Sequence, residues 1–172
     1  PGRERGRAGD RDAGLCLLGV AVRPGHRDLQ HGTIGCIGGV PEASTAMERE
    51  QGFRDELRRR GAPLPERLYR RGYFSHDLAY RAARSLLSGR NPPSALFCAN
   101  DVMALAAVNA AKSLGHSVPE DLWIVGFDDI RMAAWESFDL TTIRQPVKDM
   151  VDKAVDLLLA RIDHPDQPPE VV

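Results

Sequence analysis

Two adjacent carboxylates, Asp128 and Asp129, follow closely after a short apolar run at positions 122–125 and Gly126. The run is too short for a helix, and its tryptophan and β-branched residues are typical of a buried strand. In an open parallel sheet, ligands bind in the crevice beyond the carboxyl ends of the strands. The acidic pair therefore indicates a sheet edge at which a polar ligand can be held.

Further side chains with ligand-binding chemistry stand where other predicted strands end or where the following helices begin. If the strands are parallel, these side chains converge on one edge of the sheet. Carboxylates accept from hydroxyls, an amide both donates and accepts, an arginine fork donates in two directions, and an aromatic ring can cover a sugar face. The set suits a polyhydroxylated ligand, and it comprises Thr45, Arg49, Phe74, Asn100, Asp101, Asp128 and Asp129.

Each of these side chains also has an ordinary structural explanation. Asn100 and Asp101 can form an N-cap pair, and the acidic pair after the fourth strand can simply begin a loop. Arg49 can lie on a solvated helix face, and Phe74 can belong to the core. A magnesium-dependent enzyme using Asp128 and the next aspartate is another alternative, because hard cations prefer carboxylates. That alternative lacks a lysine or a phosphate-binding loop at matching positions.

The elements that must position these groups alternate along the chain from Thr33 onward. This alternation predicts an α/β fold, with a parallel sheet flanked by helices in a Rossmann-like sandwich and right-handed crossovers. Thr45 and Glu48 have the spacing of a capping box, and Ser75 stands before the second helix. The predicted strands are 34–37, 68–74, 95–99, 122–125 and 140–143, and the predicted helices begin at about 46, 75, 102 and 146.

Composition narrows the function classes. The chain has 172 residues, 42% of them hydrophobic, and a net charge of -1, which argues against nucleic-acid binding through bulk positive charge. No apolar run approaches the ~20 residues needed to span a bilayer. The cysteines Cys16, Cys36 and Cys98 lie far apart, which favours reduced thiols in a cytoplasmic protein. Without metal-ligand spacing, phosphate-loop or nucleophile motifs, the sequence predicts neither a cofactor nor catalysis.

Three longer strings resemble the sensor region of LacI/GalR-type transcriptional regulators. They are IGCIGG with STAMEREQGF, then SALFCANDVMALAAVNAAKSLGHSVPEDLWIVGFDD, and finally LTTIRQPVKDM, and together they extend over about residues 33–162. The resemblance implies a periplasmic-binding-protein-like fold, in which two α/β subdomains enclose a cleft for an effector such as a sugar or a nucleobase. It also implies a homodimer that binds operator DNA through a separate N-terminal helix-turn-helix.

The resemblance also implies roles for individual side chains. Where several family members carry another basic residue before the effector-binding arginine, this chain has Ala43 and Met47, so the effector class stays open. Asp101 and Asp129 are expected to support the start of a helix and of a loop. The implied effector contacts are Thr45, Arg49, Phe74, Asn100, Asp128 and, in the return segment between the lobes, Gln145.

The resemblance implies an uneven domain organisation. Residues 33–172 are expected to form the sensor domain and about 40–140 its nearly complete C-terminal subdomain, while 33–39 and 146–163 are assigned to an incomplete N-terminal subdomain. Residues 1–32 mix arginine, glycine and acids without apolar periodicity, which predicts a poorly ordered segment. A fragment of this kind is expected to expose apolar side chains, namely those of Ile34, Ile37, Val151 and Leu158.

The sequence thus predicts an effector-sensing domain of a LacI/GalR-type regulator, which binds a small ligand, expected to be a carbohydrate, and has no catalytic activity. Binding would favour one lobe arrangement, and a homodimer would transmit that preference to the operator-binding heads. The main alternative is a periplasmic-type sugar-binding protein of a transporter, which would need a clear secretory signal. No membrane association is expected.

Operator binding gives a first test, because no helix-turn-helix was recognised before the sensor strings. We expect the 172-residue chain alone not to retard operator DNA in a gel-mobility assay, since no bulk positive charge replaces a reading head. A sequence-specific retardation that weakens with added salt would contradict this expectation.

Overall fold

The computed structural model describes residues 33–166, 168 and 170, and the segment predicted to be poorly ordered, 1–32, lies outside these residues. Five parallel strands form one sheet in the order β2-β1-β3-β4-β5. The strands are β1 (Ile34–Gly38), β2 (Tyr69–Arg71), β3 (Ala95–Cys98), β4 (Trp123–Phe127) and β5 (Thr141–Ile143). The predicted α/β fold with a parallel sheet is therefore confirmed.

In the described part of the chain, four α-helices and two short 3-10 helices connect or follow the strands. The 3-10 helices precede β2 and follow β4, at Glu66–Leu68 and Arg131–Ala134. The α-helices are α1 (Ser44–Arg59), α2 (His76–Leu87), α3 (Asp101–Ser113) and α4 (Val147–Asp163). Among the helices of the described residues, none combines the length and apolarity needed to cross a bilayer.

Helices cover both faces of the sheet. On one face, Phe53 and Leu57 of α1 pack against Cys36 and Phe97, and the Phe53 and Phe97 rings stack with centroids 4.6 Å apart. On the other face, α2 and the alanine-rich α3 pack against alternate residues of the same strands, such as Ile37. Because side chains alternate across a strand, two neighbouring strands supply both apolar layers.

The placement of β1 corrects the predicted domain boundary at residues 33–39. β1 pairs with β2 on one side and β3 on the other, so it lies within this sheet and not in a separate subdomain. Ile37 is completely buried, which also contradicts the expectation that its side chain would be exposed. The sequence could not predict this pairing. A strand that is buried on both faces appears as a continuous apolar run, and such a run does not show which strands lie beside it.

Helix α1 begins without the predicted capping box. Its N-cap is Ala43, which has no side-chain acceptor, and Thr45 lies within the first turn. The helix therefore begins too early for the Thr45 hydroxyl to cap it. In contrast, the second helix begins close to Ser75, as predicted. Ser75 is its N-cap, because its Oγ accepts a hydrogen bond from the Leu78 amide at 3.4 Å.

Helix α4 presents an apolar stripe that is not buried by the described residues. No residue of α4 is buried, and the exposed fraction reaches 65% at Ile162, so the expected exposure of Val151 and Leu158 is confirmed. Pro146 stands before the helix, as predicted for its first turn. The assignment of 146–163 to another subdomain stays a prediction. The stripe comprises Val147, Met150, Val151, Ala154, Val155, Leu158 and Ile162.

We expect the apolar stripe of α4 to make the isolated chain self-associate, because exposed apolar patches drive association. Replacing Val151 and Leu158 by lysine is expected to shift the chain toward monomer in size-exclusion chromatography with light scattering. The control replaces Asp149 and Asp156 by asparagine, which changes net charge equally without altering the stripe. An equal shift in the control would show that charge, and not the stripe, governs association.

Candidate ligand site at the carboxyl edge of the sheet

An arginine, an aspartate and a glutamine meet where the parallel strands end. Arg49 on α1 donates from Nη2 to Asp128 Oδ1 at 2.9 Å and from Nη1 to the Ala99 carbonyl oxygen at 2.7 Å. Gln145, which follows β5, donates from Nε2 to the same Asp128 oxygen at 2.6 Å. The structure thus joins three of the predicted site residues, although they are far apart in sequence.

The Arg49–Asp128 pair is partly shielded from water. The side chain of Arg49 is 12% exposed and that of Asp128 is 27% exposed, and the Arg49 guanidinium carbon lies 4.1 Å from the centroid of the Phe127 ring. Partial desolvation strengthens both the ion pair and the cation–π contact compared with fully exposed pairs. The pair is therefore a charged centre whose outer surface remains accessible to a ligand.

Two strand-end turns place bulky or charged residues in the left-handed backbone region. After β4, φ is 113° at Asp128 and 53° at Asp129, and after β2 it is 54° at Tyr73 and 57° at Phe74. Such conformations cost of order 1 kcal/mol each outside glycine and persist only where surrounding contacts fix them. Backbone strain of this kind clusters at ligand sites, and here it lies at the predicted edge.

The other predicted site residues lie along the same edge but do not bond to the Asp128 carboxylate. Phe74 packs beside the end of β1, since a Cβ added at Gly39 would lie 2.4 Å from its ring. Asn100 directly follows Ala99, and its Oδ1 accepts from the Met103 amide at 3.0 Å, so it is also the N-cap of α3. Thr45 is exposed in the first turn of α1.

The other two aspartates, Asp101 and Asp129, bond to residues that surround this edge. Asp101 is fully buried, and it accepts from the Ile130 amide at 2.9 Å and from the Thr142 hydroxyl. Asp129 forms an ion pair with Arg144. The side chain of Asp101 therefore supports the loop after β4 and not the start of its own helix, which differs from the expectation. Asp129 lies at the start of that loop, as expected. Sequence analysis missed Thr142 and Arg144, because a threonine in a strand and an arginine beyond its end are ordinary residues there.

Burial also changes the acidity of Asp101. Desolvation is the largest influence and raises the pKa of its carboxyl group, and the nearby charges of Asp128 and Asp129 raise it further. The hydrogen bonds from Thr142 and Ile130 act in the opposite direction, because they stabilise the carboxylate. The charged form of the buried Asp101 carboxyl group thus depends on its two donors.

The surroundings of the acidic pair do not favour a metal-dependent enzyme. Asp128 Oδ1 accepts from Arg49 and Gln145, and Asp129 is paired with Arg144. A divalent cation would have to displace these donors and would lie next to two guanidinium groups, which would repel it. The arrangement instead suits an uncharged polar ligand that shares hydrogen bonds with the cluster.

Several known proteins resemble this chain in both sequence and fold. The family described as Periplasmic binding protein-like domain matches residues 26–172. The HTH-type transcriptional repressor PurR of Photorhabdus laumondii subsp. laumondii is 38% identical over 141 residues, covering 82% of this chain and 40% of the relative. The transcriptional regulator CelR in complex with cellobiose has a TM-score of 0.78 and 33% identity, covering 92% of this chain and 46% of that chain.

A further solved structure with the same fold is named as a sugar-binding regulator. A sugar-binding transcriptional regulator of the LacI family from Escherichia coli, solved with phosphate, gives a TM-score of 0.78 at 28% identity, covering 92% of this chain and 55% of that chain. The chain therefore belongs to the periplasmic-binding-protein-like domain family and, within it, to the effector-binding domains of LacI-type regulators. The resemblance found in the sequence is confirmed.

The chain corresponds to less than half the length of these two relatives. The chain spans 40% of the repressor from Photorhabdus and 46% of the CelR chain. These relatives are named as transcriptional regulators, which gives no support to the alternative of a transporter's solute-binding protein.

Gly126 offers a test of how tightly the edge is built. A Cβ added there would lie 2.1 Å from Asp101 Oδ1, so we expect Gly126→Ala to lower the free energy of unfolding by about 1–3 kcal/mol. Gly52 within α1 has open space, so Gly52→Ala is the control and is expected to stabilise the chain by about 0.5–1 kcal/mol. Urea denaturation measures the free energy of unfolding of both variants. An unchanged free energy in Gly126→Ala would contradict the close approach of Asp101 to residue 126.

Proposed function

We propose that this chain senses a small polar effector at the edge where Arg49, Asp128 and Gln145 meet. The observation that carries the proposal is the sharing of one Asp128 oxygen between α1 and the return segment after β5. A ligand hydroxyl or amide that engages this carboxylate would therefore act on two separate parts of the fold at once. Thr45, Phe74 and Asn100 are proposed as further effector contacts along the same edge.

The chemistry of the edge favours a carbohydrate. An aspartate and a two-way arginine donor match vicinal hydroxyls, and an aromatic ring such as Phe74 can cover the apolar face of a sugar. One structural relative is named as a complex with cellobiose, and another is named as sugar-binding, which supports the same class. A nucleobase is the second effector class, because planar amides also pair with carboxylates and stack on rings.

The proposed mechanism is linkage between the site and the arrangement of the lobes. Gln145 lies immediately before Pro146 and α4, so a ligand that changes its bond to Asp128 would also act on the start of that helix. The effector can shift the equilibrium only by its difference in affinity for the two arrangements. In the whole protein, a homodimer would transmit this shift to operator DNA, which makes the protein a DNA-directed repressor.

The proposed setting is the cytoplasm, where a DNA-directed regulator acts. Cys36 and Cys98 are free and fully buried in the sheet. They lie on neighbouring strands but belong to the clusters on opposite faces, which does not favour a disulfide between them. This arrangement is consistent with a reducing compartment.

The effector class can be identified by a thermal-shift screen of the chain with cellobiose, D-glucose, D-ribose and adenine. A ligand that binds only the folded state raises the midpoint of unfolding as its concentration increases. A rise with a sugar supports the proposed carbohydrate, and a rise with adenine alone replaces it by a nucleobase. No rise at millimolar concentrations of all four compounds would count against the site.

We expect Arg49→Ala and Asp128→Ala each to weaken binding of the compound that responds in this screen by about 1–3 kcal/mol, because each removes a charged hydrogen-bonding group. Isothermal titration calorimetry measures the affinity. Arg54→Ala is the control, since Arg54 lies one turn further along α1 and pairs with Glu50 and Glu66 instead. Unchanged affinity in both site variants would refute the assignment of these residues.

A further inference from the structure

The turn after β4 is held by three consecutive backbone amides. The Asp128 N–H donates to the Ile143 carbonyl oxygen at 2.9 Å. The Asp129 N–H donates to Thr142 Oγ1 at 3.2 Å, and the Ile130 N–H donates to Asp101 Oδ2 at 2.9 Å. Two of these three amides therefore depend on side chains, and these side chains are bonded to each other because the Thr142 hydroxyl donates to Asp101 Oδ1.

The position of Asp101 is fixed by its helix and by burial. It is the first residue of α3, where the positive end of the helix dipole favours a carboxylate, and its side chain is completely buried. Asn100 caps the same helix from the preceding position. Gly126 leaves room for the carboxylate against the β4 backbone. Asp101 thus provides a rigid acceptor beneath the edge.

We propose that Asp101 is a positioning residue of the ligand site, acting through Thr142 and the amides of residues 129 and 130. By holding these amides, it keeps Asp128 and Asp129 in the left-handed backbone region, where the Asp128 carboxylate faces Arg49 and Gln145. Its importance for ligand affinity rests on the function proposed above, whereas its control of the turn does not.

The strain in the turn explains why the amide contacts matter. With φ at 113° and 53°, Asp128 and Asp129 lie outside the backbone conformations that side chains of their kind prefer. Removing an acceptor would leave an amide unpaired and allow the turn to relax toward an ordinary conformation. The Asp128 carboxylate would then move away from Arg49, although neither Arg49 nor Gln145 has been altered.

Four substitutions in the full chain separate positioning from general stability. Thr142→Val keeps the shape of the side chain but removes both hydrogen bonds of the hydroxyl, whereas Thr142→Ser keeps the hydroxyl. Asp101→Asn replaces the carboxylate acceptor by an amide. Leu86→Ala is the control for stability, because Leu86 lies in the core of α2 and a cavity there destabilises the fold.

Two NMR measurements report on the turn without any ligand. Amide hydrogen exchange of Asp129 and Ile130 is compared with exchange of the β3 amides, and the side-chain signal of the Arg49 guanidinium reports its bonds. We expect Thr142→Val and Asp101→Asn to speed exchange at 129 and 130 about tenfold relative to β3 and to shift the Arg49 signal. Thr142→Ser should remain close to wild type in both measurements. Leu86→Ala should leave the exchange rates at 129 and 130, relative to those of β3, unchanged.

Titration with cellobiose, D-ribose and adenine then tests the consequence for binding. A five- to tenfold loss of affinity, about the cost of one hydrogen bond, is expected in Thr142→Val but not in Thr142→Ser. Normal exchange and an unshifted Arg49 signal in Thr142→Val would overturn the positioning role. So would unchanged affinity in that variant for a compound that wild type binds. If wild type binds none of the three compounds, the proposed function fails, and the NMR measurements still decide the control of the turn.

Discussion

The parallel alignment of the five strands is the constraint on which the rest of the structure depends. It brings every strand's carboxyl end to one edge, so that side chains from distant positions, such as Arg49, Asp128 and Gln145, meet there. The same alignment requires a crossover between successive strands, and the helices in these crossovers bury both faces. Core and candidate site therefore result from the same arrangement of the backbone.

The edge combines an accessible charged centre with a buried one. The outer centre, Arg49 with Asp128, can exchange hydrogen bonds with a ligand because it is only partly shielded. The inner centre, Asp101 with Thr142, is fixed by burial and holds the amides of the turn. With this construction, the carboxylate that is proposed to bind the ligand need not stabilise its own strained backbone. Acceptors outside the proposed contacts offset the cost of that strain.

Helix α4 stands apart from this compact unit. It follows directly on the segment that carries Gln145, and its apolar stripe is exposed. The chain spans less than half of the CelR chain, so relatives of this kind contain additional residues. Gln145 bonds to Asp128 and lies two residues before α4, so the proposed response to an effector would reach the rest of such a protein through this segment.

Local patterns in the sequence were sufficient to determine the order and type of the main strands and helices, the beginning of a helix near Ser75, the strand-end location of the candidate residues and the family. They were sufficient because apolar periodicity, caps and family motifs are properties of neighbouring residues. The tertiary structure alone decided that β1 pairs on both sides, that Ile37 is buried, and that α1 begins without its predicted capping box. It alone joined Asp101 to Thr142. Such contacts depend on strand order and on side chains 41 residues apart, which no local pattern records.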